Sequence, residues 1–224
     1  MYGTMSVVVL YRTCTVVLPP GGAVAEGPPR SVAASVLTFL SFYRSPPSLS
    51  PSYAMTSCKE AIKDIEVDGV VAAEAEEVRL CPIAMMKPLI TKMDNSLSTL
   101  KKCKHLRMSS NAIAKIEGLA GCDSLQIISL GRNNLKKIEG LNDLSDTLEQ
   151  IWISYNQIAS LAGIEKLVNL QVIIMSNNKI DKWPEVERLQ ALPKLRDLNL
   201  VNNPIWTKTE GEGLSWRIEL LKVW

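Results

Sequence analysis

One histidine, His105, and five cysteines, Cys14, Cys58, Cys81, Cys103 and Cys122, are the side chains of this chain best suited to act as bases, nucleophiles or soft metal ligands near neutral pH. A catalytic histidine needs a carboxylate or thiol partner to hold its tautomer and exchange a proton. His105 has Lys104 and Arg107 beside it instead, which marks a surface residue. The cysteines are odd in number, widely spaced and without a CxxC pair. That pattern suits reduced thiols in a cytosolic compartment, not a disulfide framework or a zinc site. Glu74, Glu76 and Glu77 form a solvated acidic run, and no GxxxxGK[ST], GxGxxG or HExxH string occurs. The expectation is a chain with no catalytic residues, no metal and no cofactor, so function must reside in a surface.

The elements that would present such a surface begin well inside the chain. Residues 1–54 crowd seven prolines among Gly, Ser and Val and carry only Arg12, Glu26, Arg30 and Arg44 as charges. They read as a disordered extension or a translated leader before Met55. The apolar run Ser6–Leu18 is broken by Arg12 and followed by Pro19 and Pro20 where a secretory signal would have small residues. Val32–Tyr43 falls short of the roughly 20 apolar residues that cross a bilayer, so no membrane partner is expected. Of the 25 basic and 23 acidic side chains, residues 1–54 hold three arginines and one glutamate, leaving 22 of each in residues 55–224. A neutral domain lacks the basic footprint of nucleic-acid binding.

From Thr56 a capping-box-like start, Ser57 with Glu60, precedes Ala61, Ile62 and Ile65 at helical spacing. Ala72–Leu80 is also compatible with a helix. Residues 55–96 are therefore expected to form a helical N-terminal cap over the open end of a stack.

That stack is announced by self-similarity. Asn111, Asn133, Asn156, Asn178 and Asn203 recur at intervals of 22, 23, 22 and 25 residues, each framed by apolar residues at fixed offsets. Leu100, Cys103, Leu106 and Met108 precede the first asparagine; Leu125, Ile128 and Leu130 precede the second. Leu148, Ile151 and Ile153 precede the third, Leu170, Ile173 and Met175 the fourth, and Leu195, Leu198 and Leu200 the fifth. This LxxLxLxxN pattern is the grammar of leucine-rich repeats. The fold expected is an α/β solenoid of five short repeats over residues 97–206, with a parallel β-sheet on one face. Residues 207–224 follow as a short, incomplete C-terminal cap. Two alternating apolar residues aim each short strand's inner face at the core, and each asparagine can satisfy backbone groups of adjacent coils that water does not reach. The five form a structural ladder.

The residues that alternate with the core leucines face outward. Six before each asparagine stand His105, Ile127, Gln150, Val172 and Asp197; four before stand Arg107, Ser129, Trp152, Ile174 and Asn199. Ile127, Trp152, Val172 and Ile174 then share the middle of the outer face, bordered by Arg132 and Tyr155. An apolar centre with a polar rim is how partner surfaces are built, and Trp is enriched at energetic hot spots. These six residues are the candidate partner-binding set.

Several strings go beyond the generic repeat: Lys92-Met93-Asp94-Asn95-Ser96-Leu97-Ser98, Ser129-Leu130-Gly131-Arg132-Asn133-Asn134, Asp146-Thr147-Leu148-Glu149 and Ile151-Trp152-Ile153-Ser154-Tyr155-Asn156. Through them Thr56–Thr209 resembles the axonemal dynein light chain 1 family. The resemblance implies a non-catalytic light chain of the ciliary outer dynein arm that binds a dynein heavy chain near its microtubule-binding region. It also implies tubulin as a further contact, a monomer outside the complex, and residence in the cytoplasm, cytoskeleton and axoneme of cilium or flagellum. The family uses its sheet face for the heavy chain, and ATP hydrolysis belongs to that chain. Residues 1–54 have no family counterpart, and Trp206–Trp224 departs from the longer family C-terminus, so its contacts there do not carry over. The alternative of the same architecture is a regulatory subunit of a protein phosphatase. It would favour acidic outward strand positions, of which only Asp197 is present.

Overall fold

A computed structural model describes residues 55–67, 71–82 and 89–223; the expected extension at 1–54 lies outside the described residues. The chain enters through β1 (Met55–Thr56), which pairs in parallel with β3 (Leu89–Ile90), and α1 (Cys58–Val67). The start of α1 closes reciprocally: Ser57 N–H donates to the Glu60 carboxylate at 3.1 Å, and Glu60 N–H donates to Ser57 Oγ at 3.2 Å. Two of the amide donors that a helix start leaves without partners are satisfied in this way. Cys58 and Ile62 bury one face of the helix against the core, with Ala61 and Ile65 partly covered beside them.

The main sheet is parallel and six-stranded: β2 (Glu77–Arg79), β4 (His105–Arg107), β5 (Ile127–Ser129), β6 (Gln150–Trp152), β7 (Val172–Ile174) and β8 (Asp197–Asn199), in that order. Its central row, Val78, Leu106, Ile128, Ile151, Ile173 and Leu198, is in register across all six strands and buried throughout. Short 3-10 turns such as Asn142–Leu144 and Ile164–Lys166 form the opposite side.

β2 departs from the helix expected over Ala72–Leu80. Only Ala72–Glu74 coils, as a 3-10 turn, and the chain then extends. The cause is tertiary: the amides of Lys104 and His105 bond to Glu76 O, Leu80 N–H bonds to Arg107 O, and Val78 packs beside Leu106. Pairing to a preformed strand edge outweighs the modest helix preference of an Ala- and Glu-rich segment.

The asparagine side chains bind the coils to one another. Each Oδ1 accepts an amide hydrogen from a core residue of the preceding coil: Ile90, Ile113, Leu135, Ile158 and Ile180, at 3.0 or 3.1 Å. Each Nδ2 donates at 2.9 or 3.0 Å to one carbonyl in its own coil and one in the coil before. Asn156, for example, reaches Ile153 O and Leu130 O, both at 3.0 Å. All five are buried, and successive asparagines share the carbonyls between them, Met108 O, Leu130 O, Ile153 O and Met175 O each accepting from two, so the ladder satisfies backbone groups that water does not reach.

At the far end, α2 (Trp183–Glu187) leads into β8, and α3 (Pro204–Gly211) follows Asn203 with its proline in the first turn, where a missing N–H costs nothing. The residues expected as a short, incomplete cap continue α3 and add α4 (Trp216–Val223). Ile205, Trp216 and Leu220 of these helices belong to the core.

Candidate protein-binding surface

Strand register sorts the outer residues into two rows. One reads Glu77, His105, Ile127, Gln150, Val172, Asp197; the other reads Arg79, Arg107, Ser129, Trp152, Ile174, Asn199. Ile127 and Val172 lie on either side of Gln150, and Trp152 is next to Ile174, so four of the six candidate residues share three adjacent strands. Trp152 is 40 % exposed, while Ile127, Val172 and Ile174 are half-buried by their neighbours. Ser129 keeps its outward position but is buried there by its neighbours, with its Oγ 3.0 Å from His105 Nε2. A short side chain between large ones is simply covered. His105 meets Trp152 edge to face, ring centroids 5.9 Å apart, and burial together with nearby Arg107 holds its pKa below the ordinary histidine value. It is a neutral wedge beside the indole at physiological pH.

Arg132 and Tyr155 come from the bend that follows each strand. The residue before every ladder asparagine, Ser110, Arg132, Tyr155, Asn177 and Asn202, is left-handed, with φ between 56° and 62°. The bend must turn the chain inward within one residue, and asparagine accepts that conformation far more readily than arginine or tyrosine does. The two unfavoured residues are adjacent, exposed and in contact: the Arg132 guanidinium lies over the Tyr155 ring, 4.8 Å from its centroid. No periodicity in the sequence signals this row, because its backbone shape is not written in its residue types.

Among the described residues no group of three or more His, Cys, Asp or Glu side chains is placed to hold a metal ion. Cys58, Cys103 and Cys122 are buried, with thiols pushed up to about 11 by burial; they pack as small apolar groups. No helix of the described residues is long and apolar enough to cross a membrane.

A leucine-rich-repeat family model matches residues 83–218. The axonemal dynein light chain 1 of Chlamydomonas reinhardtii is 55 % identical over 170 residues, covering 75 % of this chain and 84 % of that protein. Those of Ciona intestinalis and Homo sapiens are 48 % and 44 % identical over 168 residues, each covering 75 % of this chain and 86 % of the relative. The chain belongs to the axonemal dynein light chain 1 family. Its architecture is also that of a leucine-rich-repeat protein of Leptospira interrogans, with a TM-score of 0.51 and 21 % identity, over 67 % of this chain and 36 % of the other. That likeness concerns the fold alone. The matched residues include strands β4 to β8, with Trp152 and the Arg132–Tyr155 pair among them.

Proposed function

We propose that this chain is a non-catalytic light chain of the axonemal outer dynein arm. In this reading its sheet face binds a dynein heavy chain near the microtubule-binding region, with tubulin as a further contact, and the bound chain regulates ciliary or flagellar motility. Outside the complex it is a monomer. The supporting observation is the apolar centre of the outer face. Trp152, Ile127, Val172 and Ile174 occupy three neighbouring strands with Tyr155 and Arg132 at their border, in a chain whose relatives carry the name of axonemal dynein light chain 1. Exposed aromatic anchors inside a polar rim are the usual energetic core of a protein interface. ATP hydrolysis falls to the heavy chain.

Affinity capture with the tagged full chain from extracted axonemes tests the reading. Recovery of an outer-arm heavy chain by the native chain, and its loss with Trp152→Ala plus Ile174→Asp, is the expected result. Recovery of a phosphatase catalytic subunit with no dynein heavy chain would replace the reading with the phosphatase alternative.

A further inference from the structure

Beside the apolar centre, toward the β2 end of the sheet, lies a cleft of about 600 Å³. Its walls include Arg79, Arg107 and Arg132, the hydroxyls of Ser109 and Ser154, and the rings of Trp152 and Tyr155. Three arginines line it, and among the described residues no carboxylate does. Glu77 sits behind two of them, serving Arg79 at 2.9 Å and Arg107 at 2.7 Å through the Nε atom of each. One carboxylate shared by two arginines leaves the cleft with positive charge in excess. Arginine presents a planar fork that matches a carboxylate in two-point contact, and that fork extends beyond Nε to the Nη groups.

The backbone supplies a second, independent observation. Arg132 and Tyr155 occupy left-handed positions that Ser110, Asn177 and Asn202 occupy in sister coils. A fold that needed only the bend would be served better by asparagine. Strain retained at two adjacent positions on one cleft points to side chains kept for what they contact.

We propose that the cleft anchors an acidic segment of the partner protein: an Asp or Glu carboxylate seats between Arg79 and Arg107, and the apolar residue next to it lies on Trp152. This rests on the reading that the sheet face docks the heavy chain, and it assigns the chemistry of the docking segment. The arginines set register and encounter rate, and the indole supplies the desolvated contact.

The test is a titration of the full chain against a recombinant heavy-chain fragment spanning the microtubule-binding region, at rising NaCl. The wild-type affinity should weaken with salt. Arg79→Gln plus Arg107→Gln should lose about tenfold in affinity at low salt and flatten the salt dependence. Trp152→Ala should weaken binding at every salt concentration with the slope kept. Tyr155→Asn relaxes the bend, so its melting temperature should hold or rise while its affinity falls about fivefold or more. An undiminished salt slope in the arginine variant, or full affinity in Tyr155→Asn, overturns the acidic anchor while a defect in Trp152→Ala leaves the docking face standing. Full affinity in Trp152→Ala overturns the docking face, and the anchor with it.

Discussion

The indole of Trp216 is stacked on that of Trp183, ring centroids 5.3 Å apart and planes 18° from parallel. Trp183 comes from the α2 turn of the fourth repeat and Trp216 from the last helix, so one aromatic contact ties the chain's final segment back across a full coil. Stacked aromatic pairs contribute beyond the area they bury.

Trp216→Ala should therefore cost about 3 kcal/mol, as large-to-small changes at buried aromatics do. In a stack of coils the loss should stay local. Hydrogen exchange should quicken over residues 189–223 and remain unchanged around Asn111. Uniform loss of protection along the whole chain would contradict a local seal.

Asn156→Ala removes a side chain that accepts from Leu135 N–H at 3.0 Å and donates to Leu130 O and Ile153 O, each at 3.0 Å. Leu135 N–H loses its partner, while Leu130 O keeps the bond from Asn133 and Ile153 O keeps the bond from Asn178, so each carbonyl falls from two such bonds to one. A buried amide left without a partner costs about 1–3 kcal/mol, and two carbonyls are weakened besides, so denaturant unfolding should show a loss of about 2 kcal/mol or more. A change below about 1 kcal/mol would mean the ladder is dispensable.

Gly140 holds φ at +76°, and a Cβ built there would lie 2.1 Å from Ile116 O, in the backbone of the coil before. Neither the conformation nor the space admits a side chain. Gly140→Ala should destabilise by about 2 kcal/mol or more, read as a lower denaturant midpoint.

The thiols of Cys58, Cys103 and Cys122 are pushed by burial from an ordinary value of 9.0 up to about 11. Above pH 9 the unfolded chain releases these protons and the folded chain keeps them. The stability they contribute is thus complete below pH 9 and lost as pH rises through 11. Unfolding midpoints should fall over that window, and less steeply with all three replaced by Ala. At pH 8, site-resolved alkylation should label half-buried Cys81 before any of the three.

The ladder and the inner strand row were legible in the sequence because asparagine and leucine have one role at one spacing. The outer rows were equally legible, since a side chain that alternates with Ile128 or Ile173 has only the other face to occupy. β2 was not, because Val78 and Leu80 are two apolar residues in an acidic, alanine-rich stretch, and only their pairing with Leu106 and the bond from Asn111 to Leu80 O give them a strand's identity. The arginine-lined cleft was hidden for the same reason: Arg79 joins Arg107 on the outer face only once β2 is a strand. The left-handed row was out of reach because Arg132 and Tyr155 are residue types that argue against that backbone shape.

Hydroxyl-radical footprinting of the chain, free and bound to the heavy-chain fragment, reads the docking face directly. Trp152 and Tyr155 should lose reactivity on binding, while exposed Leu214 and Ile218 of the C-terminal segment keep theirs. Protection of Leu214 and Ile218, with Trp152 and Tyr155 as reactive as in the free chain, would place the partner elsewhere and contradict a binding function for the sheet.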